Sequence, residues 1–361
     1  MKVVLVIIGL FVFVMFAVAV ILNIPGLVSS VRGATSSILL TADGGDTWFA
    51  LEQQVGVEEL EDANILTLAY HPSDSEVVYA GTNGNGIYKS IDSGATWQKV
   101  VDQNSILSPG SRVYSVAFGP AFADRVEGLV EVIYLGVHQN GTGQIVRSRD
   151  GGFTAEAVYT TATPDAAVYF VAADPANSSV LWAGTSEGLL VRSLDGGETW
   201  ELIYEFDDAP HTLLRSGNEL LVGTTAGKLF LSVNNGGTWQ EVLPRLPQGR
   251  STGRIFDITQ DPLAGSTLYL AADVGLLRSD TFGRTWYKVE ITIPENDLPV
   301  RTVAVSPVAR NVLFVAAGRN MYISDDSGGH WKVRHLAVRR LVNAIAPHPT
   351  NPAFILVGTH K

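Results

Sequence analysis

Cysteine is absent from the 361-residue chain. That excludes a disulfide framework, a thiolate zinc site, a cysteine nucleophile and a lipid-modified N-terminal cysteine. Positive charge is scarce as well: 25 Lys and Arg stand against 36 Asp and Glu, a net charge of −11. Such a surface repels phosphate backbones and argues against nucleic acid as a partner. Histidine is sparse and scattered. His71 and His348 each lie just before a proline, while His138, His211, His330, His335 and His360 follow no ligand spacing, so no metal is expected. No cofactor motif is visible, and none is expected. Paired catalytic carboxylates are missing too. The acidic stretches EELED (58–62), EFDD (205–208) and PENDL (294–298) have the composition of solvated loops.

What the chain does have begins at its N-terminus. Met1 and Lys2 precede an apolar run from Val3 to Leu22. As a helix it would extend roughly 30 Å, the thickness of a bilayer core. The run is long for the apolar region of a cleavable signal, and cutting after Ala34 would place Arg32 at −3, which fits a signal poorly. Residues 1–34 are therefore expected to form a signal-anchor, a transmembrane helix with a short linker. Lys2 favours a cytoplasmic start, and the remainder would lie outside the cytoplasm. The alternative is secretion after signal cleavage.

A short motif recurs seven times: TADGGDTW (41–48), SIDSGATW (90–97), SRDGGFTA (148–155), SLDGGETW (193–200), SVNNGGTW (232–239), SDTFGRTW (279–286) and SDDSGGHW (324–331). Every copy has glycine at its fifth position, and six end in tryptophan: Trp48, Trp97, Trp200, Trp239, Trp286 and Trp331. At the third position stand Asp43, Asp92, Asp150, Asp195, Asn234, Thr281 and Asp326. A carboxylate or amide there can accept backbone N–H groups of a tight turn, and the glycine can take positive φ. Each motif therefore reads as a hairpin whose tryptophan packs against a neighbouring unit.

Around each motif four short apolar segments recur in one order, the first ending near proline. In the second copy these are ILTLAYHP, EVVYAGT, GIYKSID and TWQKVV. Four strands per forty-odd residues is the pattern of a propeller blade. The segment SSILLTADGGDTWFALE supplies only third and fourth strands, and LVNAIAPHPTNPAFILVGTHK only first and second. Together they complete one blade, which fixes seven blades over residues 35–361 and removes exposed sheet edges. The fold class is all-β. The third blade, with Ala155 for tryptophan and the insertion AFADRVEGLVE, is expected to be the loosest.

The S-x-D-x-G-x-T-W consensus resembles the Asp-box, or BNR repeat. The region from about residue 35 is similar to the propellers of photosystem II stability and assembly factors and, more distantly, to those of sialidases and xyloglucan-hydrolysing enzymes. The resemblance implies that the boxes are structural and lie on the face opposite the ligand site. Sialidases carry a Phe/Tyr-Arg-Ile-Pro motif, which Gly253-Arg254-Ile255-Phe256 does not match. In size the chain is nearest the assembly-factor group, which implies noncatalytic binding of a protein partner at a membrane. The alternative is an envelope protein that binds or cleaves glycans.

Arginines gather near the starts of first strands. Arg112, Arg254, Arg301, Arg339 and Arg340 lie there, and Arg319 lies between a second and a third strand. Propeller geometry places all six on one face, where they would make a local positive field for carboxylates. They are the candidate partner-binding residues.

Overall fold

The computed structural model describes residues 36–50, 58–119, 132–174, 177–242 and 252–361, together with the backbone of a short hairpin, Phe122–Asp124 with Gly128–Val130. The expected N-terminal helix lies outside the described residues. Among those described, no helix is long and apolar enough to cross a membrane.

Seven antiparallel four-stranded sheets form a ring. Numbered by their boxes, blade 2 comprises Ile65–Tyr70, Val78–Thr82, Ile87–Ser90 and Gln98–Lys99. The first strands of the other blades are Arg112–Phe118, Val168–Asp174, Pro210–Ser216, Ile255–Gln260, Val300–Val305 and, for blade 1, Leu341–Pro347. Each first strand packs beside the next, and Leu341–Pro347 returns to Ile65–Tyr70, so the ring has no open side. Blade 1 joins both ends of the chain. Ile38 to Thr41 pair with Gly358 back to Ile355, in the order fourth, third, second, first strand. The expected closure is thus observed.

The core is divided into seven seams rather than gathered in one place. Each seam is built from two adjacent blades: Ile38, Leu40 and Leu356 meet Ile65, Val78 and Trp97 between blades 1 and 2, and Tyr269, Ala271 and Val289 meet Val303, Val315 and Tyr322 between blades 6 and 7. The twist of each sheet presents both faces to neighbours, so third and second strands read as unbroken apolar runs.

The repeated motif explains why these hairpins close. In blade 4 Ser193 Oγ donates to Asp195 Oδ1 at 2.8 Å and accepts the Gly197 N–H, while Asp195 Oδ1 accepts from Thr199 N at 2.9 Å. The first-position hydroxyl repeats this acceptance from the fifth-position glycine in all seven copies. Asn234 and Thr281 accept the same backbone N–H as their aspartate counterparts. The glycine at position five takes positive φ throughout, and in Gly94 an added Cβ would lie 2.7 Å from Leu356 of the preceding blade. The box thus turns the chain and lets two blades approach closely. In blade 3, Ala155 is bracketed by Asn104, whose Oδ1 accepts from Ala155 N at 3.0 Å. Ala155 is itself buried in the seam between blades 2 and 3, and this blade has three strands of seven residues, among the longest in the ring.

Candidate functional site

Propeller connectivity sorts the loops onto two faces. The boxes and the links from first to second strands lie on one. The opposite face carries the starts of the first strands and surrounds the mouth of the central channel.

At that mouth the seven first strands share an irregularity. The register skips one residue in each: Leu66, Tyr114, Tyr169, His211, Phe256, Arg301 and Asn343 have no partner on the adjacent second strand. A bulge bends its strand and re-aims a side chain. Repeated seven times around a ring, it turns seven side chains toward the axis. Six of these residues line a cavity of about 320 Å³ at the mouth, Tyr169 being the exception. Tyr169 instead meets Tyr114 edge-on, with ring centroids 5.3 Å apart.

One residue deeper, Asp257 also lines the cavity. Its Oδ2 accepts from Thr302 Oγ1 at 2.8 Å and from Val303 N at 3.0 Å. Burial nevertheless pushes this carboxyl above the usual aspartate range, since two hydrogen bonds do not replace full hydration. His211, on the neighbouring blade, is held below the usual histidine range by burial, and its Nε2 is buried without a hydrogen-bond partner among the described residues. The Arg301 guanidinium lies 5.6 Å from the centre of the Phe256 ring, and Arg254 lies 5.2 Å from the same centre. Two cations therefore share one aromatic ring, an arrangement that holds them near each other despite like charge.

The expected arginine patch is redistributed by the structure. Arg254, Arg301, Arg319 and Arg339 occupy one arc across blades 6 and 7 and the link into blade 1. Arg254 is exposed and pairs with Asp273 at 3.5 Å. Arg319 and Arg339 are exposed, and Arg301 is half-buried beside Phe256. Among the described residues none of these last three has a carboxylate within ion-pair distance. Arg112 is exposed but starts blade 3, away from this arc.

Arg340 is a correction. Only 2% of it is exposed, and its guanidinium is spent on Thr359 Oγ1, Ala63 O and Asn64 Oδ1. It clamps the closing blade to blade 2 and presents nothing at the surface. Among the described residues no group of three or more metal-ligating side chains occurs.

Reasoning from arginine clustering missed the bulges, although a signal was present. Leu66, Tyr114, Tyr169, Phe256, Arg301 and Asn343 each stand six residues before a proline: Pro72, Pro120, Pro175, Pro262, Pro307 and Pro349. His211 stands six before Gly217. Of the candidate arginines only Arg301 holds this register.

No protein-family model matches the chain. The xyloglucanase Xgh74A of Acetivibrio thermocellus is 33% identical over 140 residues, covering 34% of this chain and 16% of that protein. A xyloglucanase of a Paenibacillus species is 28% identical over 255 residues, covering 50% and 24%. The chain thus spans a quarter or less of the curated relatives it matches. Among solved structures, the GH74 xyloglucanase of Xanthomonas campestris superposes with a TM-score of 0.62 at 19% identity, covering 82% of this chain and 51% of that one. A structure described as YCF48 bound to D1 peptide superposes at 0.61 and 16% identity, covering 83% and 93%. These likenesses establish the seven-bladed propeller with four-stranded blades, and the structural neighbours include both a hydrolase and a peptide-bound protein.

Proposed function

We propose that the protein is a noncatalytic propeller that captures an acidic segment of a protein partner on its channel-mouth face. The observation that carries this reading is the arc of Arg301, Arg319 and Arg339, unpaired among the described residues, beside a cavity into which a single carboxyl projects. Guanidinium groups free of intramolecular acids are available to carboxylates of a partner. The peptide-bound neighbour covers nearly its whole length in the superposition and supports the same reading. Placement outside the cytoplasm, held by the apolar run Val3–Leu22, belongs to this proposal and rests on the sequence alone.

The xyloglucanase relatives favour a second reading, a glycan-cleaving site. Glycoside hydrolysis needs two carboxyl groups about 5–9.5 Å apart across the scissile bond. The cavity offers only Asp257 among the described residues, already engaged by Thr302 and Val303. Two assays on the purified protein separate the readings: fluorescence anisotropy with a glutamate-rich peptide and its glutamine counterpart, and turnover of fluorogenic glycosides and xyloglucan. Binding of the first peptide alone, with no turnover, is expected. Hydrolysis that disappears in Asp257→Asn overturns the noncatalytic reading.

A further inference from the structure

The channel mouth holds a carboxyl group that peptide capture by surface arginines does not require. Asp257 lines the cavity from blade 6, and Arg301 of blade 7 and His211 of blade 5 line it too, with Asp208 close enough to act on the His211 imidazole. Tyr114 contributes the remaining titratable group at the cavity wall. Just before its strand lies Arg254, already paired with Asp273, and the second strand of blade 6 carries Tyr269, which stacks against Arg278. The cavity therefore combines one unpaired guanidinium, an imidazole with an orphaned buried nitrogen, and one carboxyl beside which an incoming anion would have to sit.

We propose that the cavity seats a carboxylate of the bound peptide between Arg301 and Asp257, and that Asp257 takes up one proton when the peptide binds, so that capture is strong in acid and weakens as pH rises. This rests on the peptide-binding reading above. The physical basis is that two carboxyl groups in one poorly hydrated space share a proton rather than both ionising. The proton comes from solvent and returns to it on release, so no other reactant is needed. Arg301 balances the remaining negative charge, and Thr302 and Val303 hold the Asp257 carboxyl in either protonation state.

By linkage, a site that gains one proton on binding loses up to about tenfold in affinity per pH unit once the free carboxyl is ionised. Above pH 5 the peptide carboxylates are themselves ionised, so a slope there belongs to the protein. The probe is a fluorescein-labelled peptide of alternating glutamate and alanine, followed by anisotropy from pH 5 to 8. A second peptide with an amidated C-terminus, and a third with glutamine for glutamate, distinguish chain end from side chain as the source of the carboxylate. Native protein is expected to lose affinity with rising pH. Asp257→Asn, a neutral isostere that still accepts from Thr302 and Val303, is expected to bind with the same affinity throughout and to exceed native at pH 8 by the factor that native loses between pH 5 and pH 8. Thr302→Val removes one hydrogen bond to the ionised form and is expected to move the native transition to higher pH. Measurable binding that is flat with pH in native protein, or a slope that survives in Asp257→Asn and so belongs to His211, overturns this inference while leaving the peptide site standing. Absence of binding at every pH overturns both.

Discussion

Arg340 Nε donates to Thr359 Oγ1 at 3.0 Å, linking the turn that enters blade 1 to the last strand of the chain. Thr359 in turn donates to Ser36 O at 2.9 Å, where the described chain begins. The same guanidinium reaches Ala63 O and Asn64 Oδ1 at the entrance to blade 2. One buried side chain thus joins three segments that closure must bring together. Burial holds its pKa below the ordinary arginine value, but a guanidinium remains charged, and its hydrogen bonds to oxygen offset the lost hydration.

Arg340→Ala is therefore expected to destabilise the domain by on the order of 3 kcal/mol, because several buried oxygens lose their donor. Urea denaturation measures it. At temperatures where the variant stays folded, peptide affinity should match the native protein. A variant of native stability that no longer binds peptide would return Arg340 to the binding surface.

The tryptophans that end the boxes are unequal in burial. Trp97 is 3% exposed, sits in the seam between blades 1 and 2, and donates from Nε1 to Gly94 O at 2.9 Å. Trp331 is only partly buried at the seam of blades 6 and 7, and its Nε1 donates to Glu290 O at 3.2 Å. Trp97→Ala is expected to cost about 3–5 kcal/mol through the cavity it leaves. Trp331→Ala should cost clearly less, because solvent can occupy part of the space. Equal losses in a thermal melt would show that the seams do not depend on ring burial.

The architecture was legible because it is periodic. Box, apolar run and proline recur with fixed order, and the half-blades at the two ends match in the sequence alone. The site was not legible in the same way. Its positions are periodic in backbone but not in chemistry: Leu66, Tyr114, His211, Phe256, Arg301 and Asn343 have no common residue type, so a search by type passes over them. Neighbouring residues can also differ completely in environment. Arg339 is exposed and Arg340 is buried, and only the closure of the ring, which brings Ala63 and Thr359 to the same place, decides which is which.

Acid should loosen the box face before the seams. Hydrogen bonds from Thr199 and Ser193 lower the Asp195 carboxyl to about 2, and Asp43 and Asp150 are also lowered, each by threonine and backbone donors that outweigh a partial desolvation. A carboxyl lowered on folding contributes stability that is present above its unfolded value, near 3.9, and is lost as pH falls through the folded value. Stability is thus expected to decline between about pH 4 and pH 2. Blade 5 supplies an internal control, since Asn234 accepts the same bonds from Ser232 Oγ and Thr238 N, donates its amide to Thr238 Oγ1 where Asp195 accepts from Thr199, and does not titrate. Asp195→Asn should flatten part of the decline. A variant with an unchanged acid profile would remove Asp195 from the cause.

The arc of arginines yields the sharpest test of where a partner binds. Arg319 sits in a two-residue turn between Leu313–Ala317 and Asn320–Ser324, and Arg339 precedes the buried Arg340; both are exposed and, among the described residues, carry no side-chain hydrogen bond or ion pair beyond the long bond from Arg319 to Val338 O. Arg301 lines the cavity beside Phe256. Replacing Arg301, Arg319 and Arg339 together by glutamine should lower the melting temperature only slightly, since the exposed charges of Arg319 and Arg339 contribute little to folding and half-buried Arg301 loses, among the described residues, only its contact with the Phe256 ring. Affinity for the glutamate-rich peptide should fall by about three orders of magnitude, at about 1.5 kcal/mol for each charge-assisted hydrogen bond lost. Arg112→Gln, on blade 3, should have no effect, because the arc lies on the other side of the mouth. If the triple variant binds as well as the native protein while Arg112→Gln does not, the recognition surface lies over blades 2 to 4, beside the Tyr114–Tyr169 pair, and the arc is ordinary solvated surface.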